Sequence, residues 1–400
     1  MLFSYNLQTL CLVHRLQNKE VCKLKSDRAA ANLLVLSAVL VASSIYVLIP
    51  IYSPIGLFFG TSAKEIVVAS SSFTFFYGIG LLTFGPLSDR FGRKKWMVGG
   101  QFLAAALTLL IAYSTSVDML IVNRALQGFA LGSFAPVAFS FSFELFKPKM
   151  RTIVLVLINS GFLASGIIGQ MLSSFFTNLY SWHASFLFFS ICYLIIALLS
   201  LFIYPPSSET YIQKDTAILR TYIGFLKDRR LIVCYVITFT LLFSFVAFYE
   251  ILAGIRSDIL LLRATGLMGL ILSFFTGPIM DRLKETKTLY LGIGLLLAGL
   301  IPLVILPISN WIIILCSILT VGSISLLIPT VITWIGNIAG VHRAKAISLY
   351  SFILLVGASF APIVVAQLNF LESIWILVGF QFINLLGIGI LLNKKATLVR

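Results

Sequence analysis

The chain has very little charge for its length. Only 11% of its 400 residues are charged, whereas soluble domains carry about a quarter. Acidic residues are the scarcest, 14 against 29 basic ones, while hydrophobic residues reach 59% and the mean hydropathy is +1.03. This composition excludes a water-soluble fold and indicates a chain that lies mostly within a lipid bilayer.

Residues that support catalysis or metal binding are also few. There are three histidines, all in predicted tails or loops, and five cysteines without metal-ligand spacing. No phosphate-binding Gly-x-x-x-x-Gly-Lys-Ser/Thr loop occurs. We therefore expect no cofactor, no metal and no enzymatic activity. A membrane-embedded enzyme is disfavoured because no carboxylate, His or Cys cluster has catalytic spacing.

Long apolar runs are abundant, and each is long enough for the roughly 20 residues of a membrane-spanning helix. The fold class predicted is an all-α membrane protein of twelve spans in two six-helix halves. The predicted spans are 31–52, 66–86, 96–114, 118–146, 152–178, 182–204, 231–255, 259–280, 288–308, 310–336, 346–370 and 373–392.

The polar stretches predict the domain organisation. A cytoplasmic tail covers 1–30, a first six-helix half 31–204, a linker 205–230, a second half 231–392 and a cytoplasmic tail 393–400. The first tail contains no apolar core followed by a small-residue cleavage site, so we interpret it as cytosolic and not as a signal peptide.

The halves share residues at an offset of 192 positions. This pattern predicts a parallel duplication, as in transporters whose two halves are related by an axis along the membrane normal. The matching residues are Gly85, Pro86, Asp89, Arg90 and Arg151 in the first half and Gly277, Pro278, Asp281, Arg282 and Arg343 in the second.

The net charge of +15 comes from connections on one predicted side of the membrane. Of the 29 Lys and Arg residues, 25 fall in the two tails and in the alternate connections that include the central linker. This asymmetry follows the positive-inside rule and predicts that both termini face the cytoplasm. The same distribution argues against nucleic acid as a partner.

Two motifs carry a resemblance to a known family. Residues 85–95, Gly-Pro-Leu-Ser-Asp-Arg-Phe-Gly-Arg-Lys-Lys, resemble the signature between spans two and three of the major facilitator superfamily. Residues 124–128, Arg-Ala-Leu-Gln-Gly, resemble the span-four element of its drug and metabolite proton-antiporter branch, which includes bicyclomycin-resistance-type exporters.

The first resemblance implies a gating motif. Asp89 and the basic residues after it would hold the cytoplasmic side shut when the carrier opens outward. Gly85 and Gly92 would allow close helix approach and a sharp turn. Glu144 is a candidate partner for Arg90 or Arg93, Arg151 for Asp89, and the matching residues of the second half are Asp281, Arg282 and Arg343. Alternatively, the basic residues only set topology.

Arg124 is the main candidate for coupling or substrate binding. It lies about 9 Å inside span four at 1.5 Å per residue, where a cation costs several kcal/mol unless it meets a cavity or a partner. The alternative is a side chain that extends to the outer interface. Because no deep carboxylate is evident, an anionic or zwitterionic substrate is favoured. Further candidates are Tyr46, Gln127, Asn159, Glu250 and Trp334.

Together these observations predict a proton-coupled exporter of drugs or metabolites in the bacterial cytoplasmic membrane, working by alternating access. One alternative is an exporter or facilitator of an anionic metabolite such as a carboxylate siderophore, and another is a receptor that does not transport. The expected partners are a small-molecule substrate, protons and the lipid bilayer. A monomer would suffice because one chain holds both halves.

Overall fold

The structure is a computed structural model, and it describes residues 27–206, 218–255, 264–340 and 343–397. Every regular element within these ranges is a helix, so the predicted all-helical fold is confirmed. Ten of the helices are long and apolar enough to cross a membrane, and a bent pair, Pro148–Phe162 with Ala164–Leu179, forms an eleventh span.

One of these ten helices holds two spans. Thr265–Ile305 has 41 residues, which would measure about 60 Å if straight, twice the hydrocarbon thickness of a bilayer. It breaks at Lys284, where the backbone takes φ 62° and ψ 167°. With this break, the described helices are long enough and apolar enough for twelve spans.

The first half contains six spans. Span 1 is interrupted near its end, continuing through a short 3-10 helix into a second α-helix. Span 4 also has two segments. Their bounds are Asp27–Tyr46, Ile49–Ile51 and Tyr52–Phe59 (span 1), Ala63–Phe91 (span 2), Arg93–Ala112 (span 3), Val117–Leu131 and Phe134–Leu145 (span 4), Pro148–Leu179 (span 5) and Trp182–Ile203 (span 6).

The second half follows the same plan. A short helix, Ile218–Phe225, lies within the predicted linker, of which 207–217 fall outside the described residues. Residues 256–263, where span 8 was predicted to begin, also fall outside. The helix Ile271–Leu300 is divided at Lys284: its first part, with Thr265–Leu270, forms span 8, and its second part, with Pro302–Ile305, forms span 9. The other bounds are Arg229–Ile255 (span 7), Asn310–Ala339 (span 10), Arg343–Gln367 (span 11) and Phe370–Thr397 (span 12).

The connection at 85–95 is not the loop that the sequence suggested. Span 2 continues to Phe91 and span 3 begins at Arg93, so Gly92 is the one residue between the two helices, at φ 92°. A side chain is strained in that conformation, whereas glycine adopts it freely. We call the end of the bundle that holds Gly92 the turn end, and the opposite end, which holds Gly60 and Tyr180, the far end.

Close helix crossings in both halves depend on glycine. A Cβ added to Gly80 of span 2 would lie 2.5 Å from the Phe129 carbonyl oxygen of span 4. In the second half, a Cβ added to Gly269 of span 8 would lie 2.5 Å from the Ile318 carbonyl oxygen of span 10. Small residues let membrane helices pack backbone to backbone, and here they bring span 4 and span 10 against their neighbours.

The halves meet along span 2 and span 11. A Cβ added to Gly78 of span 2 would lie 3.3 Å from the Phe352 ring and 3.4 Å from the Leu355 Cβ of span 11. Within each half, a glycine of the fifth span also approaches the first: Gly169 packs on Ser43, and Gly357 packs on Phe239. The repeat predicted from sequence thus has matching close contacts.

Candidate substrate and coupling site

Arg124 lies fully buried, at 0% exposure, in the far-end half of span 4. One guanidinium nitrogen, Nη1, donates to the Gln127 amide oxygen at 2.6 Å, and the other, Nη2, donates to the Ser44 carbonyl oxygen at 2.8 Å. The guanidinium carbon stands 4.1 Å from the centre of the Phe73 ring. The predicted alternative, a side chain extending to the outer interface, is therefore wrong, because these contacts hold the guanidinium inside the bundle.

Further hydrogen bonds hold the partners of Arg124 in place. The Gln127 amide nitrogen donates to Thr108 Oγ1 of span 3 at 2.6 Å, which turns the amide oxygen toward the guanidinium. The Ser44 hydroxyl lies 2.7 Å from the Tyr193 hydroxyl of span 6, which donates to the Leu40 carbonyl oxygen at 3.0 Å. Spans 1, 3, 4 and 6 thus converge on one buried polar network, which we call the arginine network.

The arginine network contains a cation but, within the part of the chain that the structure describes, no anion. Among the described residues, no carboxylate accepts a hydrogen bond from Arg124, and its Nε has no partner. Neutral acceptors and an aromatic face compensate the charge only in part, since a buried guanidinium is costly without an ion pair. In this network the described partners of the Arg124 guanidinium are therefore all uncharged groups.

A buried carboxylate stands nearby on the other half. Glu250 of span 7 is 8% exposed and accepts a hydrogen bond of 2.8 Å from the Tyr52 hydroxyl of span 1. Tyr52 also interacts electrostatically with Arg124, which connects the carboxylate of Glu250 to the arginine network. The structure thus places Glu250 inside the bundle and not on its rim.

A pair of aromatic rings accompanies this contact. The Tyr46 ring of span 1 meets the Phe245 ring of span 7 edge to face, with centroids 6.0 Å apart. Gly166 of span 5 leaves room for Phe245, whose ring carbon would lie 3.1 Å from an added Cβ. Tyr46 and Tyr52 therefore join span 1 to span 7 on the far-end side of the molecule. We call these two interactions the far-end contact.

At the turn end, the structure pairs Arg93 with Glu144. Arg93 Nη1 lies 2.7 Å from Glu144 Oε1 and 2.9 Å from the Ser140 carbonyl oxygen. Lys94 Nζ donates to the Tyr204 carbonyl oxygen at the end of span 6, at 2.5 Å. The basic residues after Gly92 thus fasten span 3 to spans 4 and 6, beyond any role in topology.

In the second half, the position that corresponds to Arg93 holds an acid, and its partner is a neutral amide. Glu285 occupies the position 192 residues after Arg93, and its Oε1 accepts a hydrogen bond of 2.9 Å from Asn337. Gly336 stands where Glu144 would repeat, and the Arg343 side chain packs closely over it. The geometry of the turn-end contact is therefore repeated with different chemistry.

The other predicted residues lie apart from the arginine network. Asn159 is exposed and donates to the Leu155 carbonyl oxygen of its own helix, and Trp334 packs against the apolar core of its half. Arg151 lies with its guanidinium carbon 4.6 Å from the Phe143 ring centre. Asp281 and Arg282 are exposed at the turn end, and a Cβ added to Gly85 would lie 3.7 Å from the Pro136 Cβ. The side chains of Asp89 and Arg90 fall outside the described part of the structure, so their predicted pairing stays a prediction.

Sequence reasoning missed four members of the site: Ser44, Tyr52, Thr108 and Tyr193. Each lies in a mostly apolar run, and serine and threonine there often bond only to the backbone of their own helix. Tyr52 finds its partner 198 residues away, across the two halves. No local pattern in the sequence signals that pairing.

Twelve spans in two repeats, with a buried polar network in one half and a hydrogen-bonded contact between halves, define a membrane transporter. The family model of the Major Facilitator Superfamily matches residues 34–362, with a second match over 266–392. The chain belongs to this superfamily, and it is a multi-pass membrane transporter. The match does not separate the branches of the family, so the drug-antiporter branch stays a prediction.

The comparisons with known proteins agree with this placement. An uncharacterized transporter of Buchnera aphidicola subsp. Schizaphis graminum (strain Sg) is 29% identical over 366 residues, 87% of each chain. The 4-hydroxybenzoate transporter PcaK of Acinetobacter baylyi is 34% identical over 136 residues, 34% of this chain and 30% of PcaK. A crystal structure of a bacterial homologue of the human lysosomal transporter Spinster shares the fold, with TM-score 0.70 and 13% identity, covering 91% of this chain and 96% of that one.

Proposed function

We propose that this transporter carries small organic carboxylates and that Arg124 binds the carboxylate. The observation that carries the proposal is the arginine network. In it the fully buried guanidinium of Arg124 has no carboxylate partner among the described residues, and its Nε makes no hydrogen bond to them. Arginine binds carboxylates through two parallel hydrogen bonds, so a substrate anion would supply the missing charge. Neutral acceptors hold the guanidinium until the substrate replaces one of them.

Aromatic side chains around Arg124 favour a substrate with a flat or apolar body. The Phe73 ring faces the guanidinium and stacks on Tyr77, with centroids 5.9 Å apart and planes at 11°. A relative that matches part of this chain is named a 4-hydroxybenzoate transporter, and its substrate is an aromatic carboxylate. Because Arg124 is closed off in the present conformation, binding requires spans 1 and 4 to separate locally.

We further propose that Glu250 couples transport to protons through the far-end contact. As a carboxylate it accepts the Tyr52 hydrogen bond and holds span 7 to span 1. A proton arriving from the far side would neutralise Glu250 and weaken this bond, because hydrogen bonds to charged acceptors are the stronger ones. The far end would then open, and return of the proton to the turn side would accompany carboxylate export.

Counterflow in proteoliposomes tests the anion proposal. We expect labelled 4-hydroxybenzoate to exchange in the parent, to lose exchange in Arg124→Ala and to keep part of it in Arg124→Lys, which retains the charge but not the fork. Arg229→Ala removes an exposed arginine at the start of span 7 and is the matched control. Unchanged carboxylate exchange in Arg124→Ala would refute the proposal.

A second candidate function, export of lipophilic cations, rests on the buried carboxylate of Glu250. The same vesicles are therefore tested with tetraphenylphosphonium. Cation flux that is lost in Glu250→Gln but kept in Arg124→Ala would favour a drug exporter. An imposed pH gradient of either orientation then shows whether protons drive the flux and in which direction the substrate moves.

A further inference from the structure

Two buried tyrosine hydroxyls near the arginine network make no hydrogen bond to the described residues. Tyr46 of span 1 is 3% exposed, and Tyr77 of span 2 is 4% exposed. Neither hydroxyl oxygen is among the described polar atoms that lack a partner and are fully sealed from solvent, so each keeps contact with open space. We call Tyr46 and Tyr77 the tyrosine pair. Both hydroxyls can therefore still take a partner.

The tyrosine pair adjoins the arginine network but has not been used by it. Tyr46 interacts electrostatically with Tyr77, and Tyr77 with Tyr193 of the network. Tyr52 and Tyr193, which interact with Arg124 itself, both donate hydrogen bonds. A hydroxyl without a partner inside a membrane protein costs free energy that a ligand group would recover. Two such hydroxyls beside one buried cation point to a ligand that spans them.

The distance from Arg124 to the tyrosine pair corresponds to about one aromatic ring. The Phe73 ring faces the guanidinium at 4.1 Å, and the Tyr77 ring stacks on Phe73 with centroids 5.9 Å apart. Phe73 and Tyr77 are four residues apart on one helix face, about 6 Å along the axis. A substrate with its carboxylate at Arg124 would thus reach the pair with the opposite end of a single ring.

The tyrosine pair also lies at the boundary between the two halves. The Tyr46 ring meets Phe245 of span 7, and Gly78, next to Tyr77, packs on Phe352 of span 11. Substrate sites of transporters built from two repeats lie near the interface between the repeats. This position suits residues that contact the substrate.

We infer that the tyrosine pair binds a hydroxyl group at the end of the substrate opposite its carboxylate, an inference that rests on the proposed function. One tyrosine donates to the substrate oxygen and the other accepts the substrate proton, since a phenol can do both. A second carboxylate there would be a buried anion competing for the one cation, Arg124, and would be costly. The substrate class is therefore an aromatic carboxylate with a hydroxyl across the ring.

Competition in counterflow tests this inference. Parent vesicles exchange labelled benzoate against unlabelled benzoate, 3-hydroxybenzoate or 4-hydroxybenzoate, and the half-saturating concentration of each is measured. We expect a preference for 4-hydroxybenzoate over benzoate of at least tenfold, because a site built to bond a hydroxyl rejects an analogue without it. The displaced hydroxyl of 3-hydroxybenzoate should bring little or no gain over benzoate.

Removing either tyrosine hydroxyl should lower that preference selectively. Tyr46→Phe and Tyr77→Phe should each reduce it about 2- to 12-fold, the contribution of one neutral hydrogen bond, and leave the half-saturating concentration of benzoate unchanged. Benzoate exchange in the same vesicles shows that each variant is folded and active. The matched control is Tyr350→Phe, since Tyr350 of span 11 is 3% exposed and its hydroxyl is unbonded to the described residues but fully sealed.

The possible failures are distinct. Equal half-saturating concentrations of the three compounds in the parent, or the full parent preference in both Tyr46→Phe and Tyr77→Phe, would overturn the inference and leave carboxylate binding by Arg124 intact. Exchange of all three compounds that survives Arg124→Ala would refute the proposed function and the inference with it. The parent preference is measured without any substitution, so a variant that does not fold still leaves a decisive result.

Discussion

Removing the Tyr52 hydroxyl is the sharpest test of the far-end contact. Tyr52→Phe keeps the ring, which is 8% exposed, and deletes the hydrogen bond to Glu250. A hydrogen bond to a charged group contributes about 1.5–3 kcal/mol, so its loss should raise the population open at the far end about 10- to 150-fold. That estimate is an upper bound wherever water replaces the hydroxyl.

Cysteine labelling measures that population. Ser70 of span 2 is 2% exposed and interacts with Tyr52, so Ser70→Cys in a chain without its native cysteines reports opening of the far end. We expect a membrane-impermeant maleimide to label Tyr52→Phe at least tenfold faster than the parent. A tenfold increase corresponds to the loss of about 1.4 kcal/mol of free energy that holds the far end closed. Tyr180→Phe removes a hydroxyl from an exposed far-end tyrosine and is the matched control.

Glu250→Gln extends the test to protons. It mimics the neutral carboxyl, so labelling, expressed relative to that of an exposed cysteine at the same pH because maleimide reacts with the thiolate, should be fast and should not change with external pH. The relative labelling of the parent should increase as the pH falls. Labelling of Tyr52→Phe at the rate of Tyr180→Phe would refute the reasoning, and so would a pH response of Glu250→Gln equal to that of the parent.

Three further predictions concern the repeat and its packing. Lys284 takes a backbone conformation that costs about 1–3 kcal/mol for a residue with a side chain. Lys284→Gly should therefore raise the free energy of unfolding by about 1 kcal/mol, whereas Gly92→Ala should lower it by about 1–2 kcal/mol. Equal effects of the two substitutions would contradict the repeat of the turn. A double-mutant cycle of Arg93→Gln and Glu144→Gln should give a coupling free energy of about 0.2–1 kcal/mol, because both side chains keep partial solvent contact. Zero coupling would show that the ion pair does not stabilise the packing of span 3 on span 4. Gly169→Val should strongly reduce the expression of folded protein, because its Cβ would lie 2.7 Å from the Ser43 carbonyl oxygen. A normal size-exclusion profile of this variant would contradict the expectation and show that spans 1 and 5 can move apart.

Hydropathy predicted the number and order of the spans because membrane insertion depends on the local apolar run. The ends of the spans were predicted less well. Span 3 begins at Arg93 and not at 96, and span 1 breaks near Tyr46 before continuing to Phe59, since charged and proline residues are compatible with helix at the ends of a span. The 3-10 helix at Thr265–Leu270 also had no distinct signal.

The repeat was visible as matched residues, but its geometric content was not. The sequence showed that Leu283-Lys284-Glu285 replaces the Phe-Gly-Arg run of the first half. Only the structure shows that Lys284 still takes the positive φ of Gly92 and that Glu285 still reaches the tenth span. Backbone geometry was retained after the side chains changed, because the two helices must reverse direction at the same place.

The sequence by itself determined that this protein is a helical membrane transporter, since composition and motif spacing are local properties. It also placed Arg124 and Gln127 in one short motif, and the structure shows the two side chains hydrogen-bonded, as residues three apart on one helix face can be. Only the tertiary structure decided that no carboxylate among the described residues partners Arg124 and that Tyr52 reaches Glu250. Those contacts join helices far apart in the chain, and their pairing depends on how twelve apolar surfaces pack together, which no single run encodes.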